Sequence, residues 1–198
     1  AEMEGWGTPV FLAWTTTPWT LPSNTALCVG PKYDYVAVRS YNPYTAEKIT
    51  AVVAEPLLYS IFNKKAEGIA LEDYKAGDKL VPFRVVGEYK GSDLVDMHYA
   101  QLIPWVKPVE MVADKVWADA SEKAVRVIAG DYGTTEDGTG IVHIAPTFGA
   151  DDAQVARAAG IPSLFMINQK GETRPMVDLT GKFYLMEELD ADFVAQCI

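Results

Sequence analysis

Two clusters of polar side chains break into otherwise apolar stretches of this chain. The first is Thr15-Thr16-Thr17, followed closely by Pro18, Trp19, Thr20, Pro22 and Asn24. The second is His143 with the paired carboxylates Asp151 and Asp152, separated from it by a segment containing Pro146 and Gly149. Hydroxyls, one imidazole and a carboxylate can hold a water molecule and polarise a bond, yet nothing in their spacing marks an activated nucleophile. The chain has no Gly-x-Ser-x-Gly elbow, no Gly-x4-Gly-Lys-Ser/Thr loop, no His-Glu-x-x-His and no evident Cys/His pair. Chemistry at these residues therefore rests on positioning and polarisation.

The elements that must position them are legible. An apolar, strand-like run ends at Trp14, and strand alternation places Thr15 and Thr17 on one side and Thr16 on the other, while Pro18 removes the next ladder donor. Threonine is also a good strand former, so a threonine-rich strand end stands beside the functional reading. In the second cluster the turn Gly138-Thr139-Gly140 feeds a short apolar strand over residues 141–146, and a helix follows over 149–160, with acids at its start, alanines in its body and Gly160 and Pro162 at its end. Such a strand-to-helix junction presents backbone amides and capping side chains to whatever lies in front of it. Asp151 reads as an N-cap or a partner of the helix dipole, and Asp152 as the same or as a counter-charge for an ammonium group. His143 shares a strand face with Ile141 and Ala145, as a satisfied core histidine would.

Around these clusters, residues 26–29 and 35–40 read as strands joined across Gly30-Pro31, most simply as a hairpin. Residues 48–54 form another strand, and Glu55-Pro56 opens a helix reaching about residue 64. Residues 74–105 are strand and turn text, followed by β-rich runs at 109–118 and 124–129, a turn-rich loop at 131–140, a strand at 163–167 and a final helix from Met186. Strands dominate and helices are scattered. The expected class is α+β, β-rich, with a closed or partly closed β-barrel core and peripheral helices.

Composition bounds the function classes. Apolar residues make up 49% and charged residues 22% of 198 positions, values of an ordinary globular domain. No run approaches the roughly 18 apolar residues of a membrane helix, and the first residues carry no signal-peptide pattern, so a cytoplasmic protein without a membrane partner is expected. Cys28 and Cys197, like His98 and His143, lack ligand spacing, and no metal is expected. The net charge of −10 argues against a protein that coats nucleic acid, though not against one strand end entering a pocket. The last residues stop inside an amphipathic pattern without a cap signal, which suggests a chain excised from something longer.

Together, Trp14-Thr15-Thr16-Thr17-Pro18-Trp19-Thr20-Leu21-Pro22-Ser23-Asn24 and Gly138-Thr139-Gly140-Ile141-Val142-His143-Ile144-Ala145-Pro146-Thr147-Phe148-Gly149-Ala150-Asp151-Asp152 closely resemble the editing domain of isoleucyl-tRNA synthetases. That domain is a large insertion, the connective peptide, in a class I synthetase. The resemblance covers essentially residues 1–198, read as a single editing domain. In the related valine and leucine enzymes the threonine motif resembles this one but carries an arginine where Thr17 stands.

The resemblance implies hydrolysis of valine wrongly esterified to isoleucine tRNA, and extends to valyl-adenylate. It further implies that Thr15, Thr16 and Thr17 line a pocket holding the terminal adenosine and the ester, that Trp19 forms part of the wall, that Asn24 orients groups around it, that His143 borders the amino-acid side chain and that Asp152 pairs with the α-ammonium. The implied partners are the 3′ end of isoleucine tRNA, valine and valyl-adenylate as ligands, and the rest of the parent synthetase; no cofactor is implied. An aminoacyl ester is already activated, so a held water and a few donors for the developing oxyanion suffice without a strong base. Two alternatives stand: an editing domain of a valine or leucine enzyme, and a non-catalytic barrel that clamps a tRNA end.

Overall fold

The computed structural model describes residues 5–131 and 136–198. The first four residues, and positions 132–135 of the expected turn-rich loop, lie outside the described residues. Contacts gather the described residues into two units: residues 5–14, 29–95, 129–131 and 136–142 in the first, and residues 15–28, 96–128 and 143–198 in the second.

Strand propensity alone accounts for most of the elements. Along the chain the strands are β1 (Pro9–Phe11), β2 (Ala26–Val29), β3 (Asp34–Tyr41), β4 (Lys48–Ala54), β5 (Arg84–Lys90), β6 (Val109–Ala113), β7 (Val116–Asp119), β8 (Arg126–Ala129), β9 (Ile141–Ile144), β10 (Met166–Ile167) and β11 (Thr173–Arg174). The helices are α1 (Leu58–Ile61), α2 (Gly91–Leu94), α3 (Ala150–Ala158) and α4 (Ala191–Cys197), with short 3-10 turns between them.

In the first unit one sheet runs in the order β1-β4-β3-β5. β3 pairs antiparallel with both β4 and β5, and β1 adds parallel to β4. Val36 and Val38 alternate along β3 and Val53 pairs with Val36, so the three fall on one face and pack with Leu58, Ala66 and Phe83. Tyr35 is fully buried; its hydroxyl accepts from the Gly30 amide at 3.0 Å and donates to the Gly140 carbonyl at 2.8 Å. Gly140 has φ +74°, and a Cβ there would stand 2.3 Å from Ala54 Cβ. Only glycine fits, and the turn that launches β9 is thereby anchored.

The sheet in the order β8-β2-β9 has most of its residues in the second unit. At its edge the Thr25 amide donates to the Ile144 carbonyl at 3.1 Å, and the Val125 amide donates to the Thr25 carbonyl at 2.7 Å. The β6-β7 and β10-β11 pairs belong to the same unit. Its core gathers Val106, Val109, Leu164, Met176 and Phe193. α4 is capped by Asp190, whose carboxylate accepts from the Asp192 and Phe193 amides and meets Lys115 Nζ at 2.8 Å.

The structure is mixed α+β and sheet-rich. Among the described residues no sheet closes on itself: the ladders have four, three, two and two strands. The expected closed or partly closed barrel is thus not seen as a continuous ring of hydrogen bonds among the described residues. The hairpin expected for residues 26–29 and 35–40 does not form. Both edges of β3 are already taken by β4 and β5, while the Gly30 amide, at the end of β2, is held by Tyr35. Nor does the helix expected over 55–64 run through; it is a 3-10 turn, Glu55–Leu57, followed by the single turn of α1. Residues 94–103, within the stretch expected to be strand and turn, hold one isolated bridge, between His98 and Arg126. Among the described residues no helix is long and apolar enough to cross a membrane.

Candidate functional site

The threonine cluster is a turn and not a strand end. The Thr17 amide donates to Thr15 Oγ1 at 3.0 Å, closing a local hydroxyl turn, and Thr15 Oγ1 lies 3.4 Å from Thr17 Oγ1. Thr15 and Thr17 therefore do share a side, for a reason other than strand alternation. Pro18 then opens a 3-10 helix, Pro18–Ser23, where its missing N–H costs nothing and its fixed φ suits the first position. The Thr17 carbonyl accepts twice, from the Thr20 amide at 3.0 Å and from Thr20 Oγ1 at 2.8 Å. Thr16 and Thr17 are exposed, Thr15 is half-buried, and Trp19 is 54% exposed.

The same 3-10 helix turns Thr20 and Asn24 inward. Thr20 Oγ1 lies 2.8 Å from His143 Nε2. Asn24, only 1% exposed, places its Nδ2 2.9 Å from the Ala26 carbonyl, 3.3 Å from His143 Nδ1 and 3.4 Å from the Ile144 carbonyl. His143 is 7% exposed, so both of its ring nitrogens are met by residues of the first motif. Burial pushes the imidazole below its ordinary pKa of 6.5, and the charge of Asp152 opposes that shift. The ring is neutral at physiological pH. It is indeed a satisfied buried histidine, and what satisfies it is the threonine motif.

Asp152 stands in the first turn of α3, yet it does not cap that helix. The N-cap is Gly149, without a side-chain bond, and Asp152 Oδ2 instead accepts from the Ala145 amide at 2.8 Å. Neither acid fills the expected N-cap role. Asp151 is exposed in the same turn, where its charge suits the helix dipole. The Ala145 bond fixes the Asp152 carboxylate near the end of β9 with acceptor capacity to spare.

Trp19 borders a cavity of about 700 Å³ whose other walls include Thr147, Phe148, Arg174, Val177 and Tyr184. Trp19 comes from the first motif, and Thr147 and Phe148 from the second. The volume is in the usual range for a small-molecule site. Thr147 Oγ1 itself is shielded from the surface and has no hydrogen-bond partner among the described residues. Among the described residues no group of three or more His, Cys, Asp or Glu side chains is placed to hold a metal ion.

Of the expected site residues, the structure brings Asn24 and His143 into contact, sets Thr15 and Thr17 side by side, and places Trp19 on the cavity wall. Thr16 is exposed. Sequence reasoning gave no role to Thr20, which lay inside the quoted motif, nor to Tyr99, whose hydroxyl donates to Asn24 Oδ1 at 2.5 Å. Thr20 was marked by its spacing, three residues after Thr17 across a proline. No local signal marks Tyr99.

The two motifs offer clustered hydroxyls, a neutral imidazole and a fixed carboxylate, and of the expected site residues Trp19 alone lines the cavity. The arrangement can bind a cation-bearing ligand, orient water and stabilise developing negative charge on oxygen.

Along its full length the chain is 74% identical, over 197 residues, to a segment of the isoleucine–tRNA ligase of Bacteroides thetaiotaomicron, and it spans 17% of that protein. It is 52% identical over 194 residues to the isoleucine–tRNA ligase of Porphyromonas gingivalis, covering 98% of this chain and 16% of that protein. The chain thus spans about one sixth of the length of the curated relatives it matches. No family model matches it. Among solved structures it is similar to the cytosolic leucyl-tRNA synthetase editing domain of P. falciparum, with TM-score 0.54 and 14% identity over 83% of this chain and 57% of that one. The corresponding P. knowlesi domain gives TM-score 0.52 and 15% identity over 78% of this chain and 53% of that one. These structural likenesses show the fold.

Proposed function

We propose that this chain, which matches a segment of isoleucine–tRNA ligases along its whole length, is the editing domain of such a ligase, hydrolysing valine mistakenly esterified to the 3′ end of isoleucine tRNA and also valyl-adenylate. The observation that carries the reading is the meeting of the two motifs: Thr20 and Asn24 clasp His143 across 123 and 119 positions of sequence. Identity of 52 to 74% to isoleucine enzymes supports that specificity over the leucine one. The reading carries with it the barrel-like core of the editing fold, supported by the likeness to the two solved domains. It also carries a cytoplasmic location and the rest of the ligase as partner, and it needs no cofactor.

In this reading Thr15, Thr16 and Thr17 hold the terminal adenosine and the ester, and Trp19 is a wall against which the aminoacyl end packs. Asn24 keeps His143 in place, and His143 borders the valine side chain. Asp152 takes the α-ammonium on the oxygen not occupied by the Ala145 amide, so a free amino group is required. A water held among the hydroxyls adds to the ester carbonyl, the bond to the ribose oxygen breaks, and a proton from that water ends on the ribose hydroxyl. Threonine hydroxyls donate to the oxyanion that forms in between. Such a second site is needed because one methylene is worth only about 1–3 kcal/mol in a synthetic pocket.

The test is a structure with a non-hydrolysable valyl-adenosine analogue. Contact of its ammonium with Asp152 and of its aminoacyl end with Trp19 or His143 is expected; an analogue bound away from both motifs overturns the reading.

A further inference from the structure

The hydrogen bonds around His143 run in one direction. The Asn24 amide is oriented by its surroundings: the Ala26 and Ile144 carbonyls lie 2.9 and 3.4 Å from the atom assigned as Nδ2, and the Tyr99 hydroxyl lies 2.5 Å from Oδ1. The opposite orientation sets the amide oxygen against two carbonyl oxygens, which accept only. Asn24 therefore presents an N–H toward His143 Nδ1, 3.3 Å away, and that nitrogen must carry the lone pair. In the neutral ring the proton then sits on Nε2, which donates to Thr20 Oγ1 at 2.8 Å. The Thr20 hydroxyl hydrogen is left for the Thr17 carbonyl, 2.8 Å away. The Tyr99 hydroxyl and the His143 Nε2–H each have one acceptor, while the two Asn24 amide hydrogens are shared among the Ala26 and Ile144 carbonyls and His143 Nδ1, and Thr20 Oγ1 also lies 3.5 Å from Thr17 Oγ1.

We propose that Tyr99 is a positioning residue: through Asn24 it locks His143 as the Nε2–H tautomer and, through Thr20, sets the threonine turn at Thr17. Tyr99 is itself placed by its backbone, since its amide donates to the Val125 carbonyl at 2.9 Å on the segment leading into β8. The catalytic consequence rests on the editing reading, whereas the tautomer lock does not. Without the tyrosine hydroxyl, the buried Asn24 oxygen loses its donor, and the amide gains reason to rotate and offer that oxygen to His143 Nδ1. The imidazole then takes its proton on Nδ1, and Nε2 becomes an acceptor competing with Thr17 for the Thr20 hydrogen.

The experiment pairs spectroscopy with kinetics. In this chain carrying 15N-labelled histidine, with His98→Gln used to assign the two rings, 15N shifts report which nitrogen of His143 bears the proton. The unsubstituted ring should be Nε2–H, and Tyr99→Phe should populate the Nδ1–H form. In a ligase carrying this segment, Tyr99→Phe should lower kcat for valyl-tRNA hydrolysis about tenfold or more, with KM changed less than about twofold. Asn24→Asp, which keeps an acceptor for Tyr99 but removes the donor to Nδ1, should lower kcat at least as much. An Nδ1–H ring before substitution overturns the lock. Unchanged kcat in Tyr99→Phe overturns the positioning role whether or not the tautomer shifts. Absence of valyl-tRNA hydrolysis by the unsubstituted ligase counts against the editing reading, and the 15N shifts then decide the lock alone.

Discussion

Thr20 Oγ1 and His143 Nε2 lie 2.8 Å apart, so a hydroxyl on a proline-opened 3-10 turn and a ring on a β-strand fix one another inside the second unit. The contact is buried and neutral. It joins the threonine motif to the histidine motif without any charge, and the surrounding polar atoms are arranged so that neither group is left unpaired.

Removing that hydroxyl should therefore be costly. Thr20→Val keeps the shape but leaves His143 Nε2 unpaired and strips one donor from the Thr17 carbonyl. A loss of about 1–3 kcal/mol in unfolding free energy is expected. Urea denaturation measures it, and a change below a few tenths would show that the pair is not held as described.

The buried imidazole gives stability a pH dependence of known sign. Burial, opposed by Asp152, places the folded pKa of His143 below its ordinary value of 6.5. As pH falls, the unfolded chain takes up a proton before the folded one does. The contribution is therefore fully present above the unfolded value and is lost as pH falls from there through the folded one. Comparing unfolding at about pH 7.5 and about pH 5 in the unsubstituted chain and in His143→Gln isolates the effect. The substituted chain should lose less stability on acidification, and equal losses would contradict a depressed imidazole.

Gly140 should not tolerate a side chain. With φ +74° and Ala54 Cβ only 2.3 Å from where a new Cβ would stand, Gly140→Ala combines backbone strain with overpacking. We expect destabilisation of about 3 kcal/mol. The denaturation midpoint is the readout, and a neutral result would mean that the turn before β9 is looser than its geometry implies.

Asp152→Ala removes the carboxylate that would meet the substrate ammonium, together with the acceptor of the Ala145 amide. Hydrolysis of valyl-tRNA by the ligase should fall by about two orders of magnitude, with isoleucylation retained. Asp152→Asn keeps an acceptor for that amide and tests the charge alone. If the asparagine variant edits normally, the carboxylate is structural and the ammonium is bound elsewhere.

Much of the frame was legible because the signals are local. β2 ends where residues 26–29 were expected to end, and α3 follows from its acids, its alanines and Gly160, whose φ is +67°. β3 and β4 lie close to residues 35–40 and 48–54, where strands were expected. Long-range pairing was less legible. The expected hairpin of residues 26–29 and 35–40 assumed that neighbouring strands pair, whereas the partners of β3 lie on both sides of it in a different sheet. At the site, the motif resemblance pointed to Thr15, Thr16, Thr17, Trp19, Asn24, His143 and Asp152, but not to the reason the threonines cluster, which is a hydroxyl-to-amide turn. Tyr99 was invisible because a single hydrogen bond across 75 positions leaves no periodicity and no motif. The cavity beside Trp19 is likewise completed by Arg174, Val177 and Tyr184, to which the sequence reading gave no role.

The central claim is that this chain removes valine from isoleucine tRNA and spares isoleucine. It is tested most directly by measuring, in a ligase carrying this segment, the rates at which valyl- and isoleucyl-esters of isoleucine tRNA are hydrolysed. The account predicts hydrolysis of the valyl ester faster by about 100-fold or more, since exclusion of the larger side chain multiplies what one methylene gives in binding. Equal rates for the two esters, or no hydrolysis of either above that of free aminoacyl-tRNA, would contradict it.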